Sequence, residues 1–463
     1  MRLAGAGSAL IMSEHEVDVV VIGMGPGGES AAEELARAGL TVAGVEDSLV
    51  GGECPYWGCV PSKMMIRAAN LLAEGRRIPG MAGTSSVAPD WAPVAGRIRS
   101  EATDAWDDAV AADRFTDLGG RLFRGHGRIL GPGRVGVGDD VLRARRGIVI
   151  NTGSAPSIPP VPGLAGTPYW TNHQAIEADR VPRSLIVLGG AAVACELAQV
   201  FSRFGTAVTM VEASGRLLPM EEPEAGALLA DVFGRDGIGL RAGVAPERVT
   251  HDGSGFCVKL TGGEELRAEA LLVATKRQCD LGAIGTGNVG IDETLPVVPV
   301  DEHMRAAPGV WAIGDIVGKG AFTHMSMYHA AIVVADILDQ PHQGAEYHAV
   351  PRVTFTDPEI GAVGLTETQA AEQGLSVRAG LAQVPESVRG WLHKAGNDGF
   401  IKLVEDTGRG ILVGATSAGP WGGEVLGPLV LAVHAAVPTQ RLREMIYAYP
   451  TFHRAIEDAL RAL

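Results

Sequence analysis

The stretch VDVVVIGMGPGGESAAEELARAGLTVAGVE, residues 17–46, decides the fold of the first part of the chain. An apolar strand is followed by Gly23, Gly25 and Gly28 in GxGxxG order, and a helix then leads to a second strand that ends at Glu46. Glycines in this order let the backbone turn tightly and approach a pyrophosphate, which a helix N-terminus stabilises. An acid at the end of the second strand accepts hydrogen bonds from a ribose. The stretch therefore predicts a βαβ dinucleotide-binding unit.

A second stretch, RSLIVLGGAAVACELAQVFSRFGTAVTMVE at residues 183–212, repeats this plan. Its turn begins at Gly189, and its second strand closes on Glu212, which favours an unphosphorylated ribose and hence NADH over NADPH. Ala191 replaces the second glycine, where a methyl group crowds the pyrophosphate, while Ala194 at the third position is tolerated by helix packing. One chain thus carries two nucleotide-binding units, the second of them weakened.

The length and charge of the chain limit its fold and its partners. Its 463 residues exceed what one hydrophobic core usually organises, so several domains are expected. A net charge of -15 repels phosphate backbones and anionic lipid, which argues against nucleic-acid and membrane partners. No apolar run approaches the ~18 residues that span a bilayer, and residues 1–11 leave no room for a signal region, with Met12 as an alternative start. We expect a cytoplasmic protein that acts on small molecules.

The order of apolar strands and helical stretches along the chain predicts an α/β fold with two Rossmann-like nucleotide-binding domains and a C-terminal α+β domain. Short apolar strands and helical stretches separated by glycines make up the first two domains, and this pattern changes near PRVTFTDPEIGAVGL, residues 351–365, at the start of the third. The expected boundaries are 12–155 with 280–345 for the first nucleotide-binding domain, 156–279 for the second and 346–463 for the last.

Two of the five cysteines, Cys54 and Cys59, lie close together in GGECPYWGCVPSK, residues 51–63. Five cysteines in so long a chain do not form a disulfide framework, so a close pair is typical of redox catalysis. The proline and serine that follow suit a helix start, and a thiolate at a helix N-terminus has a lowered pKa and attacks well. Lys63, one turn later, is a candidate cation for a flavin edge.

GGECPYWGCVPSK resembles the disulfide motif of the pyridine nucleotide-disulfide oxidoreductases, the family of dihydrolipoamide dehydrogenase, glutathione reductase and mercuric reductase. The resemblance covers nearly the whole chain in family order, through NTGSAPSIPPVPG at 151–163, VWAIGDI at 310–316 and PRVTFTDPEIGAVGLTE at 351–367. It implies a homodimeric, FAD-dependent enzyme with FAD in the first domain, NAD(H) in the second, and dimerisation by the third.

The resemblance also implies roles for individual residues. Cys59 would contact the flavin and Cys54 would exchange with substrate, while Lys63 would pair with Glu196 near the flavin N5. Asp315 would bind the ribityl chain, although alone it would suit a helix N-cap. The implied cofactor residues are Gly23, Gly25, Gly28, Glu46, Gly52, Gly153 and Asp315 for FAD, and Gly189 and Glu212 for NAD(H).

Three further positions depart from the family pattern. Lys276 in VATKRQCD stands where relatives carry glycine beside the bound dinucleotide. Tyr449 and Arg454 stand where relatives that act on mobile dithiols place a His and a Glu, which act as the general base across the dimer. A phenol with a pKa near ~10 is a poor base at neutral pH, and arginine does not orient an imidazolium. Helical geometry turns His453 away from the position of Arg454, so it is expected to face elsewhere.

Two interpretations of the Tyr449 and Arg454 positions stay open: a structural pair at a subunit interface, or a site rebuilt for an acceptor that needs no histidine. Tyr447 and Phe452 nearby favour the second, since they would make the pocket aromatic and suited to quinones, dyes and other flat acceptors. Mercuric reductases also lack this base, but they carry a terminal cysteine pair, whereas this chain ends EDALRAL, which disfavours metal-ion reduction.

The sequence therefore predicts an enzyme in which electrons pass from NAD(P)H through FAD and the Cys54–Cys59 disulfide to a small acceptor. The alternatives are a dithiol oxidase that does not use NAD(P)H, a quinone or dye reductase, a reductive carboxylase, and a non-enzymatic redox sensor.

The remaining cysteines and two helical histidines carry no predicted chemistry. Cys195, Cys257 and Cys279 are scattered singly and are interpreted as small fillers. His324 and His329 are interpreted as core histidines, one of which could pack near the flavin. No metal-ligand spacing is present, and no metal site is predicted.

Overall fold

A computed structural model describes residues 13–463, so the expectations for residues 1–11 and Met12 lie outside the described residues. Within this range, none of the helices is both long and apolar enough to cross a bilayer. The chain divides into two compact units. The first comprises residues up to Val60, Arg99–Ala155 and Arg277–Glu346, and the second comprises Pro61–Ile98, Pro156–Lys276 and Tyr347–Leu463.

Helices and strands alternate along most of the described chain. The α-helices are α1 (Pro26–Arg37), α2 (Glu53–Tyr56), α3 (Cys59–Arg77), α4 (Ala92–Arg97), α5 (Ala109–Asp117), α6 (Asn172–Glu177), α7 (Ala192–Arg203), α8 (Pro223–Arg235), α9 (Leu281–Ile284), α10 (Thr323–Ile337), α11 (Glu367–Glu372), α12 (Val388–His393), α13 (Gly422–Val425), α14 (Gly427–His434), α15 (Thr439–Arg443) and α16 (Ala455–Arg461). The strands are β1 (Ser13–Ile22), β2 (Val42–Glu46), β3 (Arg121–Arg124), β4 (Gly127–Gly131), β5 (Arg134–Val137), β6 (Asp140–Ile150), β7 (Ala155–Ser157), β8 (Ser184–Leu188), β9 (Ala207–Glu212), β10 (Gly239–Ala242), β11 (Pro246–His251), β12 (Phe256–Leu260), β13 (Glu265–Ala268), β14 (Ala270–Val273), β15 (Lys276–Gln278), β16 (Arg305–Ala307), β17 (Val310–Ala312), β18 (Pro351–Thr354), β19 (Glu359–Gly364), β20 (Val377–Gln383), β21 (Phe400–Asp406) and β22 (Ile411–Gly419).

The first unit is built on a sheet with strand order β16-β17-β6-β1-β2-β3, to which β5 and β4 are added beside β6. β1 runs parallel to both β2 and β6, and its valines are buried on both faces, as expected of a parallel sheet covered on two sides. α10 packs closely on α1: the two helices are so near that a Cβ at Gly27 on α1 would overlap the Ser326 side chain on α10. The first dinucleotide loop, at the start of α1, therefore lies beside a helix that comes about 300 residues later in the chain.

The second unit contains the second βαβ element and the C-terminal domain. The parallel strands β10-β9-β8-β14 form the nucleotide-type sheet, and β18-β19-β22-β21-β20 form an antiparallel sheet. The predicted fold class, two Rossmann-like sheets and a C-terminal α+β domain, is confirmed.

The end of the chain folds differently from the expected pair of helices. Four short helices, α13 to α16, follow β22, because Pro428 and Pro438 each begin a new helix. Residues 61–98 were placed in the first domain on sequence grounds, and they pack with the second unit instead.

Candidate active site

The first dinucleotide loop has the geometry that an FAD-type ligand requires. Gly23 has φ of +90°, and a Cβ at Gly28 would overlap the Gly23 carbonyl, so the chain itself demands both glycines. Gly25 is different, because a Cβ there would meet its nearest neighbour, the Asn151 side-chain nitrogen, at an ordinary 3.4 Å. Packing does not explain a glycine at this position, whereas close approach of a pyrophosphate to the N-terminus of α1 does.

Three further candidate cofactor residues lie around this loop or near it. Glu46 is buried at the end of β2, where its carboxylate accepts the Met24 N–H at 2.7 Å and the Ser48 N–H at 2.8 Å. Burial raises the pKa of Glu46, although these two hydrogen bonds favour the ionised form. Gly52, with φ of +64°, lies against the loop, since a Cβ there would come within 2.8 Å of the Gly25 Cα. Gly153 also has positive φ, at +66°.

The two candidate redox cysteines are in contact. Cys54 lies in the short helix α2, and Cys59 is the first residue of α3, as the helix-start pattern predicted. A hydrogen bond to Cys59, together with burial, raises the pKa of Cys54, so the second proton of the dithiol is held tightly. The Cys59 sulfur also lies 3.4 Å from the Thr323 hydroxyl at the start of α10, a contact that no sequence motif indicated.

The predicted ion pair between Lys63 and Glu196 is present. Lys63 lies one turn after Cys59 on α3, and its Nζ is 2.9 Å from the Glu196 carboxylate. The other Glu196 oxygen accepts the Phe355 N–H at 2.8 Å, and the Lys63 ammonium lies 4.6 Å from the centre of the Phe355 ring. Phe355 from the PRVTFTD stretch therefore positions both charges, a role that the sequence did not suggest.

Asp315 lies inside the 3-10 turn Gly314–Val317, so it is not the N-cap of a helix. Its carboxylate accepts the Ser154 hydroxyl at 2.6 Å, and the Arg277 guanidinium lies 3.9 Å away. Arg277 also donates to Ser154 at 2.7 Å and to Glu53, the neighbour of Cys54, at 3.2 Å. Sequence reasoning singled out Lys276 and passed over Arg277, which is the residue that links these groups.

The second dinucleotide loop repeats the backbone of the first. Ala191 is the N-cap residue of α7 with φ of -82° and ψ of -179°, close to the -69° and -177° of Gly25 at the start of α1. Ala191 therefore carries its methyl group at the position where the first loop carries none. Gly189 needs its positive φ of +123°, Ala194 is buried, and the Glu212 carboxylate accepts the Ser214 N–H at 2.7 Å. Lys276 is exposed.

Tyr449 and Arg454 contact each other near the end of the chain. The Arg454 guanidinium lies 5.4 Å from the centre of the Tyr449 ring, and its Nη1 is 2.7 Å from the Glu457 carboxylate. Tyr449 is 64% exposed in the single chain, so most of its side chain is accessible there.

Tyr447 and Phe452 were expected to form an aromatic pocket beside Tyr449, and this expectation is wrong. Tyr447 is buried and donates its hydroxyl to the Leu442 carbonyl at 3.0 Å, while Phe452 is buried with its ring 5.6 Å from Trp421. Both rings contribute to the interior of the second unit: Phe452 enters it from the 3-10 turn Phe452–Arg454, and Tyr447 is held there by its bond to Leu442. His453 lies in that turn rather than in an α-helix, and its Nε2 is 3.4 Å from the Thr451 hydroxyl.

Among the residues interpreted as structural, Cys195 is fully buried, and burial raises the pKa of its thiol. Cys257 lies on β12, while the Cys279 sulfur lies 3.5 Å from the Gly153 carbonyl. His324 stacks on Phe322 with ring centres 5.1 Å apart. His329 is fully buried, and its Nδ1 accepts the Gly314 N–H at 3.2 Å. Burial lowers the pKa of His329 to about 4, as expected for a neutral core histidine.

The free energy of unfolding is expected to fall between pH 7 and pH 5 through His329. The unfolded imidazole takes up a proton near 6.5, whereas the folded one remains neutral until about 4, so acid favours the unfolded chain. The two pKa values predict a loss of about 2 kcal/mol over this interval from His329 alone. Urea unfolding of the His329→Gln variant should show a correspondingly weaker pH dependence, with His251→Gln as the control. If the wild type, His329→Gln and His251→Gln showed the same pH dependence of the free energy of unfolding, His329 would not be the group responsible.

The chain is similar to known proteins over most of its length. The model of the family described as pyridine nucleotide-disulphide oxidoreductase matches residues 17–332, and the model of its dimerisation domain matches residues 350–460. The chain is 32% identical to a mercuric reductase of Streptomyces lividans over 97% of each protein, and 31% identical to a dihydrolipoyl dehydrogenase of Chlorobaculum tepidum over 96% of each. It is also similar to the HOCl-induced flavoprotein disulfide reductase RclA from Escherichia coli, with 25% identity, a TM-score of 0.84, and coverage of 96% of this chain and 99% of that one.

Proposed function

Because the chain belongs to the pyridine nucleotide-disulphide oxidoreductase family, whose members are FAD-dependent oxidoreductases, we propose that it passes electrons from NADH through the Cys54–Cys59 pair to a small acceptor such as a quinone. The observation that carries the proposal is the contact between the two thiols at the junction of α2 and α3, in the unit that holds the first dinucleotide loop.

The residues of the first unit fit FAD. The loop from Gly23 to Gly28 would hold the pyrophosphate, Glu46 the ribose, and Asp315 the ribityl chain. When bound, FAD supplies transfer of a hydride equivalent from a reduced nicotinamide to the disulfide. The chain itself contributes the Lys63–Glu196 ion pair, whose ammonium is oriented by a carboxylate fixed at Phe355 and so supplies a localised positive charge.

Reduction and reoxidation of the cysteine pair each transfer two electrons and two protons. Two electrons and two protons open the S–S bond between Cys54 and Cys59 and leave two thiols. Closing the bond again releases two electrons and two protons, which convert a quinone into a hydroquinone. The raised pKa of Cys54 means that this thiol keeps its proton until the acceptor takes it.

NADH is proposed as the donor in spite of the altered second loop. Glu212 at the end of β9 suits an unphosphorylated ribose, whereas the methyl group of Ala191 narrows the approach of the pyrophosphate. This site binds NADH more weakly than a site with glycine at position 191 would, but it keeps the preference for NADH over NADPH.

Tyr449 and Arg454 support an acceptor that requires no general base. The exposed phenol can donate a hydrogen bond to a quinone oxygen, and the guanidinium beside it stabilises negative charge. We further propose a homodimer, because the part of the chain that the dimerisation model matches carries large exposed apolar side chains. Ile446 is 96% exposed, and Leu431 and Met445 are also exposed.

Anaerobic titration with NADH tests the donor half of the proposal. The first equivalent of NADH per subunit should open the Cys54–Cys59 disulfide and a second should bleach the flavin absorbance, and NADPH should act more weakly. A flavin and disulfide that both stay oxidised with excess NADH but are reduced by a dithiol would overturn the proposal in favour of the dithiol oxidase. Turnover assays with a quinone, lipoamide, glutathione disulfide and Hg(II) then test the acceptor half, and the quinone is expected to be the best.

Restoring the missing base should change the acceptor preference. The double variant Tyr449→His/Arg454→Glu is expected to gain about 100-fold in lipoamide turnover, since a positioned general base contributes roughly 10²–10⁴-fold. Tyr449→Phe is the matched control, because it removes the hydroxyl without adding a base, and it should leave lipoamide turnover low. Unchanged lipoamide turnover in the double variant would show that another feature sets the acceptor.

A further inference from the structure

Three potential metal ligands from separate segments meet at the edge of the first unit. His303 precedes β16, Asp336 lies in the last turn of α10, and His342 follows that helix. Their ligand atoms all lie within 4.8 Å of one another. The His303 Nδ1 is 3.0 Å from the His342 Nε2, and this Nε2 is 3.7 Å from an Asp336 oxygen. The separate positions explain why no metal-ligand spacing could be recognised in the sequence.

The hydrogen bonds of the two imidazoles show where their protons lie in the metal-free chain. The His342 Nδ1 lies 3.0 Å from the Gln340 carbonyl, so it carries the proton and its Nε2 keeps the lone pair. That Nε2 accepts the His303 Nδ1–H at 3.0 Å, so an incoming ion would displace this proton from His303 Nδ1. A metal-bound histidine commonly donates its other nitrogen to a carbonyl or a carboxylate, and His342 has that arrangement, while the outer His303 nitrogen, Nε2, lies 3.9 Å from the Glu302 carboxylate.

The third ligand is held in place by other residues. The Asp336 side chain is 4% exposed, and one of its oxygens accepts the Arg305 Nε at 2.8 Å and the Trp311 Nε1 at 2.7 Å. The other oxygen, bonded to the second Arg305 nitrogen, also faces His342. An anchored carboxylate of this kind loses little side-chain entropy when it binds an ion.

We propose that His303, Asp336 and His342 bind one divalent transition-metal ion, Zn²⁺ being the ion used to test it. Two imidazole nitrogens and one carboxylate oxygen are a ligand set that zinc accepts in tetrahedral geometry, with water as the fourth ligand. Bonds of roughly 2.0–2.1 Å require ligand atoms about 3.3 Å apart, so small rotations of the His303 and His342 side chains would complete the site, and His303 is 31% exposed. The ion would tie the turn before β16 to the end of α10 and so stabilise the first unit.

Zinc titration calorimetry of the flavin-loaded enzyme tests the site. The Cys54→Ser/Cys59→Ser background is measured beside the wild-type chain, so that thiol binding is separated from histidine binding. We expect one Zn²⁺ per chain in both proteins, and a loss of at least about 100-fold in affinity on His303→Gln or His342→Gln. The control variant His251→Gln should bind zinc as the wild type does.

Thermal unfolding gives the second readout. Zinc should raise the melting temperature of the wild type and of the cysteine-free background, and it should not raise that of His303→Gln. If His342→Gln does not fold, the partly exposed His303 position carries the test alone. The proposal is overturned if neither parent protein takes up zinc, which would leave a hydrogen-bonded histidine pair, or if His303→Gln binds zinc as tightly as its parent.

Discussion

Replacing Cys59 with serine is expected to reduce NADH-dependent turnover by roughly three orders of magnitude or more, because the disulfide that we propose relays the electrons no longer forms. The same loss is expected for Cys54→Ser, since either serine removes the same S–S bond. FAD content should be unchanged, because the dinucleotide loop and Glu46 remain intact. Steady-state assays with NADH and a quinone, together with the flavin absorbance of the purified variants, measure both quantities.

Cys257→Ser is the matched control, because that thiol lies on β12 of the second unit, outside the motif. It should keep wild-type turnover. If both motif variants retain turnover within a few-fold of wild type, the acceptor takes electrons directly from the flavin and the relay through sulfur is wrong. If the variants lose FAD as well, the assay reports a folding defect, and reduction of the wild-type thiols by NADH must then be counted with a thiol reagent.

Replacing Lys402 with methionine is expected to lower the free energy of unfolding by about 3–5 kcal/mol, the usual cost of leaving a buried charge unpaired. The Lys402 side chain is 5% exposed, and its Nζ lies 3.0 Å from Glu222, 2.7 Å from Glu224 and 2.9 Å from Glu367. Burial alone would lower the pKa of Lys402, but these carboxylates raise it above its ordinary value. Because folding raises the pKa of Lys402, the contribution of its ion pairs to the free energy of unfolding is fully present below the unfolded pKa near ~10.4. This contribution should not vary between pH 6 and pH 9.

Chemical denaturation followed by circular dichroism measures this effect. Lys259→Met is the control, since the Lys259 Nζ is 3.5 Å from Glu247 and both side chains are about half exposed, so its loss should cost less than about 1 kcal/mol. Adding Glu222→Gln to Lys402→Met should recover part of the loss, because it removes the most buried unpaired charge. A Lys402→Met variant as stable as Lys259→Met would contradict the account.

The fold and the cysteine pair could be predicted because their signals are local. The turn at Gly23 and the N-terminus of α1 follow from residues a few positions apart, and so do the start of α3 at Cys59 and the contact between the two cysteines. The Lys63–Glu196 pair joins residues far apart in the chain, and the family resemblance supplied it where spacing could not.

Errors arose where a side chain's direction depends on the tertiary structure. Tyr447 and Phe452 are near Tyr449 in the sequence, yet a 3-10 turn and a buried hydrogen bond direct both rings inward. The link from Arg277 to Asp315 was missed for the same reason, since neither residue carries a local signal for the other.

The two βαβ units, the cysteine motif and the family can be recognised without a structure, because backbone turns and helix starts are specified by neighbouring residues. The contacts between distant polar groups required the folded chain: Ser154 and Arg277 at Asp315, Phe355 at the Lys63–Glu196 pair, and His303 with His342 at Asp336. These contacts join segments separated by many residues. Their geometry is set by how the sheets and helices pack, which no local pattern specifies.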